Sequence, residues 1–218
     1  MSLRQTYDND LARLDDAVRR MGDGVQTALY AALNALTACD KDTARRIIAG
    51  DRTIDGQERE IEHLCMTLLL RQQPVAGDLR RISGTLKMVT DLERMGDHAA
   101  DIAEISLCHS DAAPLPHTLS EMGAGALEME RNAINAFLAG DTAAAAAVIA
   151  ADDAQDARFE AIKREIADRL AATPTCADEM LDLLMIAKYL ERVADHSVNV
   201  AEWTIFCQTG LYKNEPIV

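Results

Sequence analysis

The chain has 218 residues, of which 49% are hydrophobic, 27% charged and only 4% aromatic. That balance can bury a core and excludes a disordered chain, while the abundance of alanine and leucine over proline favours an all-α protein of one large or two small domains. With 22 basic against 36 acidic residues the formal charge is −14, which argues against nucleic acid as a direct partner and for cations or basic protein surfaces.

The opening stretch MSLRQTYDNDLARL carries no apolar signal core, and no run of 18 apolar residues follows it. A soluble, cytoplasmic protein that meets membranes only through partners is therefore expected. Five scattered cysteines (Cys39, Cys65, Cys108, Cys176, Cys207), with no CxxC pair, fit a reducing compartment. Residues 8–39 place Leu11, Leu14, Val18, Met21, Val25, Leu29, Leu33 and Leu36 at helical spacing. The turn Cys39-Asp40-Lys41-Asp42 offers caps to a second helix running to about Arg71. Pro74 and Gly77 then break the pattern before a third helix that reaches about Cys108. The segment SDAAPLPHTLS, with two prolines, reads as a joint. Beyond it the spacing predicts helices near 117–139, 141–171 and 176–209, with Thr173-Pro174 as the second break.

The second half repeats the first. LERMGDHAADIAE at 92–104 returns as LERVADHSVNVAE at 190–202, with seven of thirteen positions identical at a shift of 98. IIAGDRTID at 47–55 returns as VIAADDAQD at 148–156, and Met21-Gly22 and Asp40 return as Met122-Gly123 and Asp141, all at a shift of 101. Segments in the same order with one short deletion indicate duplication of a whole unit. Long helices joined by short turns pack antiparallel, so two tandem three-helix bundles are expected, one in residues 1–110 and one in 115–218.

The third helix of the first copy carries Glu93, Asp97, Asp101 and Glu104 within about 80° of one another, opposite a core face of Met88, Leu92, Met95, Ala99 and Ala103. The second copy repeats the stripe as Glu191, Asp195, Asn199 and Glu202. The second helices carry stripes of their own: Asp51, Asp55, Glu58 and Glu62 within about 60°, and Asp152, Asp156 and Glu160 within about 80°. Like charges at i,i+4 oppose each other, and no lysine or arginine stands at the i+4 steps of either third-helix stripe. A solvated outer face is the plain reading of one such stripe. Four of them on neighbouring helices favour shared grooves in which cations bridge the oxygens, one cluster per copy. Carboxylates are hard ligands suited to iron, manganese, magnesium or calcium and tolerated by zinc. His98 and His196 are read as hydrogen-bonding groups ahead of ligands, Arg94 and Arg192 as partners of acids on an adjacent helix, Cys65 and Cys108 as buried thiols, and Met66, Met88, Met95, Met180 and Met185 as core fillers.

Catalytic patterns are missing: there is no phosphate loop, no GxGxxG and no GxSxG. A ferritin-like di-iron site needs two ExxH pairs, whereas only Glu60–His63 occurs. A non-enzyme is expected. The alternative is a metalloenzyme, hydrolytic or redox, that uses the carboxylate-bound cluster; a third reading is a pair of bundles without metal, whose charge serves solubility.

The duplicated unit, with ExxxD on its third helix, resembles the PhoU family of phosphate-transport regulators. The likeness spans nearly the whole chain through DLARLDDAVRRMGDGV, IIAGDRTID, RQQPVAGDLRRI and both LER..(G/A)DH motifs. It implies cytoplasmic three-helix bundles carrying multinuclear iron or zinc clusters on E(D)xxxD motifs. On this chain those motifs are Glu93 with Asp97, Asp97 with Asp101, Glu191 with Asp195, Asp51 with Asp55, Glu58 with Glu62, and Asp152 with Asp156. Asn199, which replaces the first copy's Asp101, and Lys163, at the foot of the helix-5 stripe, imply a smaller or weaker second cluster and unequal occupancy. The resemblance also implies a negative regulator of the phosphate-starvation response, coupling the ATPase subunit of a phosphate importer to a sensor histidine kinase. An apolar seam left exposed on helices this long would favour a homodimer.

Overall fold

The computed structural model describes residues 3–109 and 115–216. Six helices account for most of it: α1 (Leu3–Ala38), α2 (Lys41–Gln72), α3 (Ala76–Cys108), α4 (His117–Ala139), α5 (Thr142–Ala172) and α6 (Ala177–Thr209), the last preceded by a 3-10 turn at Pro174–Cys176. Residues 110–114 of the joint expected at 110–120 lie outside the described residues.

Local chemistry explains the helix ends, and it is duplicated. Asp40 Oδ1 accepts the backbone N–H groups of Asp42 and Thr43 at 3.1 and 3.0 Å, and Asp141 Oδ1 accepts those of Ala143 and Ala144 at 2.9 and 3.0 Å. Before each cap the chain turns through a left-handed residue, Cys39 (φ 51°) in the first copy and Gly140 (φ 65°) in the second. The same i→i−5 bond closes both turns, from Asp40 N to Ala35 O and from Asp141 N to Ala136 O, each 2.9 Å. The α2–α3 break uses Pro74 between two further left-handed residues, Gln73 (φ 44°) and Ala76 (φ 48°).

Within each copy the three helices pack against one another, and the copies join through α1 on α4 and α3 on α6. A close contact made twice shows how they join. A Cβ on Gly22 would lie 3.0 Å from Ile134, and one on Gly123 would lie 2.9 Å from Leu33. Gly22 and Gly123 are counterparts at a shift of 101, as are Leu33 and Ile134. The copies are thus related by an approximate two-fold axis, with α2 and α5 on the outside. The expected core face of α3 holds: Met88, Leu92, Met95, Ala99 and Ala103 are all fully buried. Met66 and Met185 are not core fillers, being 50% and 43% exposed, and Cys108 is exposed as well. Each lies on the outer side of its helix, where spacing alone cannot separate an apolar flank from the core.

The described residues close with a two-stranded hairpin, Leu211–Tyr212 with Glu215–Pro216. Its turn residues Lys213 (φ 51°) and Asn214 (φ 62°) are both left-handed, as a tight hairpin demands. Tyr212 stacks on Trp203 of α6 with ring centroids 4.0 Å apart.

Candidate metal centre

Packing of α2 on α3 turns the two acidic stripes of the first copy toward each other. Asp51 and Asp55, one turn apart on α2, meet Asp97 of α3 so that a carboxylate oxygen from each lies within 4.8 Å of the others. Glu58, Glu93 and Asp101 surround this trio. Burial, followed by repulsion from Asp97, Asp55 and Asp101, raises the Asp51 carboxyl above its ordinary range. Glu93 rises through burial and Asp97, with Arg94 working against the shift. Glu58 rises through burial and the exposed Glu62, offset by a hydrogen bond from the Thr90 hydroxyl. One oxygen, Glu93 Oε2, is buried with no hydrogen-bond partner among the described residues, although Arg94 Nε forms an ion pair with it at 3.4 Å.

Cations do reach these stripes, but not at the i+4 steps of α3. Arg94 Nη1 donates to Asp97 Oδ2 at 2.9 Å, three residues along its own helix, so Arg94 does not pair with an adjacent helix as expected. Arg59 stands 3.6 Å from Asp55 on α2. Beside the trio lies an open groove of about 590 Å³, lined by Asp51, Asp97, Asp101, Glu104, Arg94 and, from the second copy, Arg192.

In the second copy Asp152 and Asp156 of α5 face Glu191 and Asp195 of α6. Burial, then repulsion from Asp156, Asp195 and Glu191, pushes Asp152 up to about 6. Asp195 rises through burial and Glu191, with Lys188 opposing the shift. Lys188 forms an ion pair with Glu191, and its ammonium also lies 5.4 Å from the centre of the Phe159 ring. Asn199 is not gathered into this nest. Its Nδ2 donates across the joint to Asp91 Oδ1 at 3.0 Å.

The histidines work at the joint between the copies. His196 Nδ1 lies 2.8 Å from Asp91 Oδ1 on α3, the inter-helix bond expected of it. His98 Nδ1 lies 3.3 Å from Asp101 on its own helix, and its ring stacks on Tyr189 at 5.4 Å. The two imidazoles, themselves counterparts, are 5.7 Å apart, so the two-fold axis passes between them. Burial holds His98 below the ordinary histidine range. Sequence reasoning missed Asp91, Thr90 and Lys188. Of these only Lys188 left a signal, a base three residues before Glu191.

The PhoU domain family matches residues 18–106 and 119–204, one match on each bundle. The chain belongs to the PhoU family. It is 34% identical over 210 residues to a phosphate-specific transport system accessory protein PhoU homolog from Clostridium acetobutylicum, covering 95% of this chain and 96% of that one. A homolog of the same description from Xylella fastidiosa is 36% identical over 208 residues, covering 94% and 88%. The crystal structure of PhoU from Pseudomonas aeruginosa superposes with a TM-score of 0.88 at 29% identity, over 94% of this chain and all of that one. The phosphate transport system regulatory protein PhoU from Streptococcus pneumoniae gives 0.89 at 30% identity, over 94% and 98%. The likeness extends across both copies and the joint between them, so the fold is that of PhoU structures.

The first copy fits a metal of the kind the PhoU resemblance implies. Its donors are hard oxygens from two rigid helices, one of them orphaned, and they meet at a distance a bridging cation can span. Among the described residues no helix is long and apolar enough to cross a membrane.

Proposed function

We propose that this PhoU-family chain is a non-catalytic cytoplasmic regulator that restrains phosphate uptake and the phosphate-starvation response. It couples the ATPase subunit of a phosphate importer to a sensor histidine kinase, and it meets the membrane only through those partners. Asp51, Asp55, Glu58, Glu93, Asp97 and Asp101 hold iron or zinc, with manganese or magnesium as alternatives, and Asp152, Asp156, Glu191 and Asp195 form the second site. The observation that carries this reading is that relatives named as accessory proteins of the phosphate-specific transport system match the chain over 95% of its length. The long helices support it, since they offer rigid faces to partners.

The test is chemical crosslinking and pull-down of the tagged chain from phosphate-replete cells. Recovery of the importer ATPase or the kinase is expected, and repeated recovery of neither overturns the adaptor role. The open groove beside the trio favours one second reading, a metal-assisted hydrolase whose bound ion activates water. Turnover of phosphoesters or peroxide by manganese- or iron-loaded protein, above that of the free ion, would establish it.

A further inference from the structure

The two carboxylate nests are counterparts, yet the residues around their α3 and α6 carboxylates have diverged. At a shift of 101, Glu58 becomes Phe159 and Glu62 becomes Lys163; at a shift of 98, Thr90 becomes Lys188 and Asp101 becomes Asn199. Each of these four removes a negative charge or adds a positive one, whereas Arg52 and Arg59 on the flank of α2 become Asp153 and Glu160, the latter paired with Lys163. The two equivalent glutamates show the result. Glu93 has an ion pair with Arg94 at 3.4 Å but keeps Oε2 buried with no hydrogen-bond partner among the described residues, whereas Glu191 is capped by the Lys188 ammonium. In the first copy the residue in Lys188's place is Thr90, a neutral hydroxyl that bonds Glu58.

Phe159 supplies what that ammonium needs. Where the first copy has a carboxylate, the second has an aromatic face, and Lys188 and Lys163 stand 5.4 and 5.1 Å from its centre. Lys163 is bound to the exposed Glu160 of α5, whereas Lys188 is bound to Glu191 of the nest itself. The first copy has bases too, but Arg94, paired with Glu93 and Asp97, and the exposed Arg59, paired with Asp55, are shared among six carboxylates, and Glu93 Oε2 accepts no hydrogen bond among the described residues. In the second copy Lys188 pairs with Glu191 and acts on Asp195, two of the nest's four carboxylates, and the fifth candidate, Asn199, is turned away to Asp91.

We infer that Lys188 is the resident cation of the second nest, so that metal ions fill the first copy ahead of the second and enter the second only by displacing this ammonium. The inference rests on the reading of these carboxylates as metal-holding and adds an order of loading to it. A tethered ammonium competes with a metal ion at an effective concentration that free solution cannot match. Graded metal supply then produces a half-loaded chain before a fully loaded one.

The test is calorimetric titration of chelator-stripped, untagged full-length protein with Mn²⁺, paired with elemental analysis. Two classes of site are expected. Asp51→Asn with Asp97→Asn removes the tighter class, and Asp152→Asn with Asp195→Asn removes the weaker. Lys188→Thr, which installs the first copy's residue, tightens the weaker class about fivefold, the size of one solvent-screened charge pair at 4 Å. Lys188→Gln repeats that gain with little change in side-chain size, and Lys188→Arg, which keeps the cation, does not. Circular dichroism shows that each variant is folded. A single class of equal sites, or a weaker class indifferent to Lys188→Thr and Lys188→Gln, overturns the order of loading and leaves the metal-binding reading standing. Absence of Mn²⁺ binding in both copies overturns the two together.

Discussion

Glu130 of α4 stands at the position of the wholly buried Leu29 of α1, yet it is a carboxylic acid, 1% exposed, whose Oε2 has no hydrogen-bond partner among the described residues. Burial, with repulsion from Asp23 of α1 and only partial relief from Arg131, raises it to about 8 from an ordinary 4.5. Because the folded value is the higher one, the folded chain holds a proton there that the unfolded chain has released. Stability from this group is complete below about pH 4.5, falls as pH rises toward about 8, and is lost above it. Glu130→Gln should flatten that decline in thermal melts taken from pH 5 to 9. Glu130→Leu should add on the order of 1–3 kcal/mol at pH 8, the cost of an unsatisfied buried polar group. Gly84 poses the opposite problem, since a Cβ there would lie 2.4 Å from Cys207 Sγ in the α3–α6 contact. Gly84→Ala should cost about 1–3 kcal/mol in denaturant unfolding, because short, buried Cys207 cannot move aside without shifting backbone. Gly84 reads in one dimension as a helix flaw, and Glu130 as a surface acid until the repeat sets it against Leu29.

Helices were the most legible elements, because caps, breakers and apolar spacing are local. The end of α1, the breaks at Pro74 and Pro174 and the caps Asp40 and Asp141 all fall where the pattern puts them. Asp141→Ala should therefore cost about 1 kcal/mol, read from chemical denaturation, and Asp141→Ser should recover most of it, since serine also accepts from the N2 and N3 amides. The C-terminal hairpin was not legible. Two residues per strand are too few to alternate, and it is fixed by Tyr212 on Trp203 and by Glu202 accepting the Lys213 N–H at 3.2 Å. Arg94 shows the same limit within a helix. The sequence places it beside the acidic stripe, but only the structure shows its guanidinium on Glu93 and Asp97 of its own helix rather than on an acid of α2.

Six helices holding two crowded acidic nests should be more stable with ions than without. Mn²⁺ at 100 times its dissociation constant should add about 2.7 kcal/mol per site by mass action, seen in calorimetry as a rise in Tm that chelator reverses. Asp51→Asn with Asp97→Asn should abolish the part of that rise due to the first copy. In chelator the same pair should leave Tm unchanged or higher, because it removes repulsion. A fall in Tm in chelator would mean that these carboxylates are structural in their own right.

Periodicity, caps and internal repetition are properties of neighbours along the chain. They suffice to announce six helices in two copies, the apolar face of α3 and the four acidic stripes. Which stripes meet is a matter of helix rotation and of side chains brought together from 40 or more residues apart. Asp51, Asp55 and Asp97 become one group only when α2 lies against α3, and Asn199 leaves the second nest only because α6 lies against Asp91. Burial does the rest: an acid facing water is a solvated charge, and the same acid between two helices needs a cation or a proton.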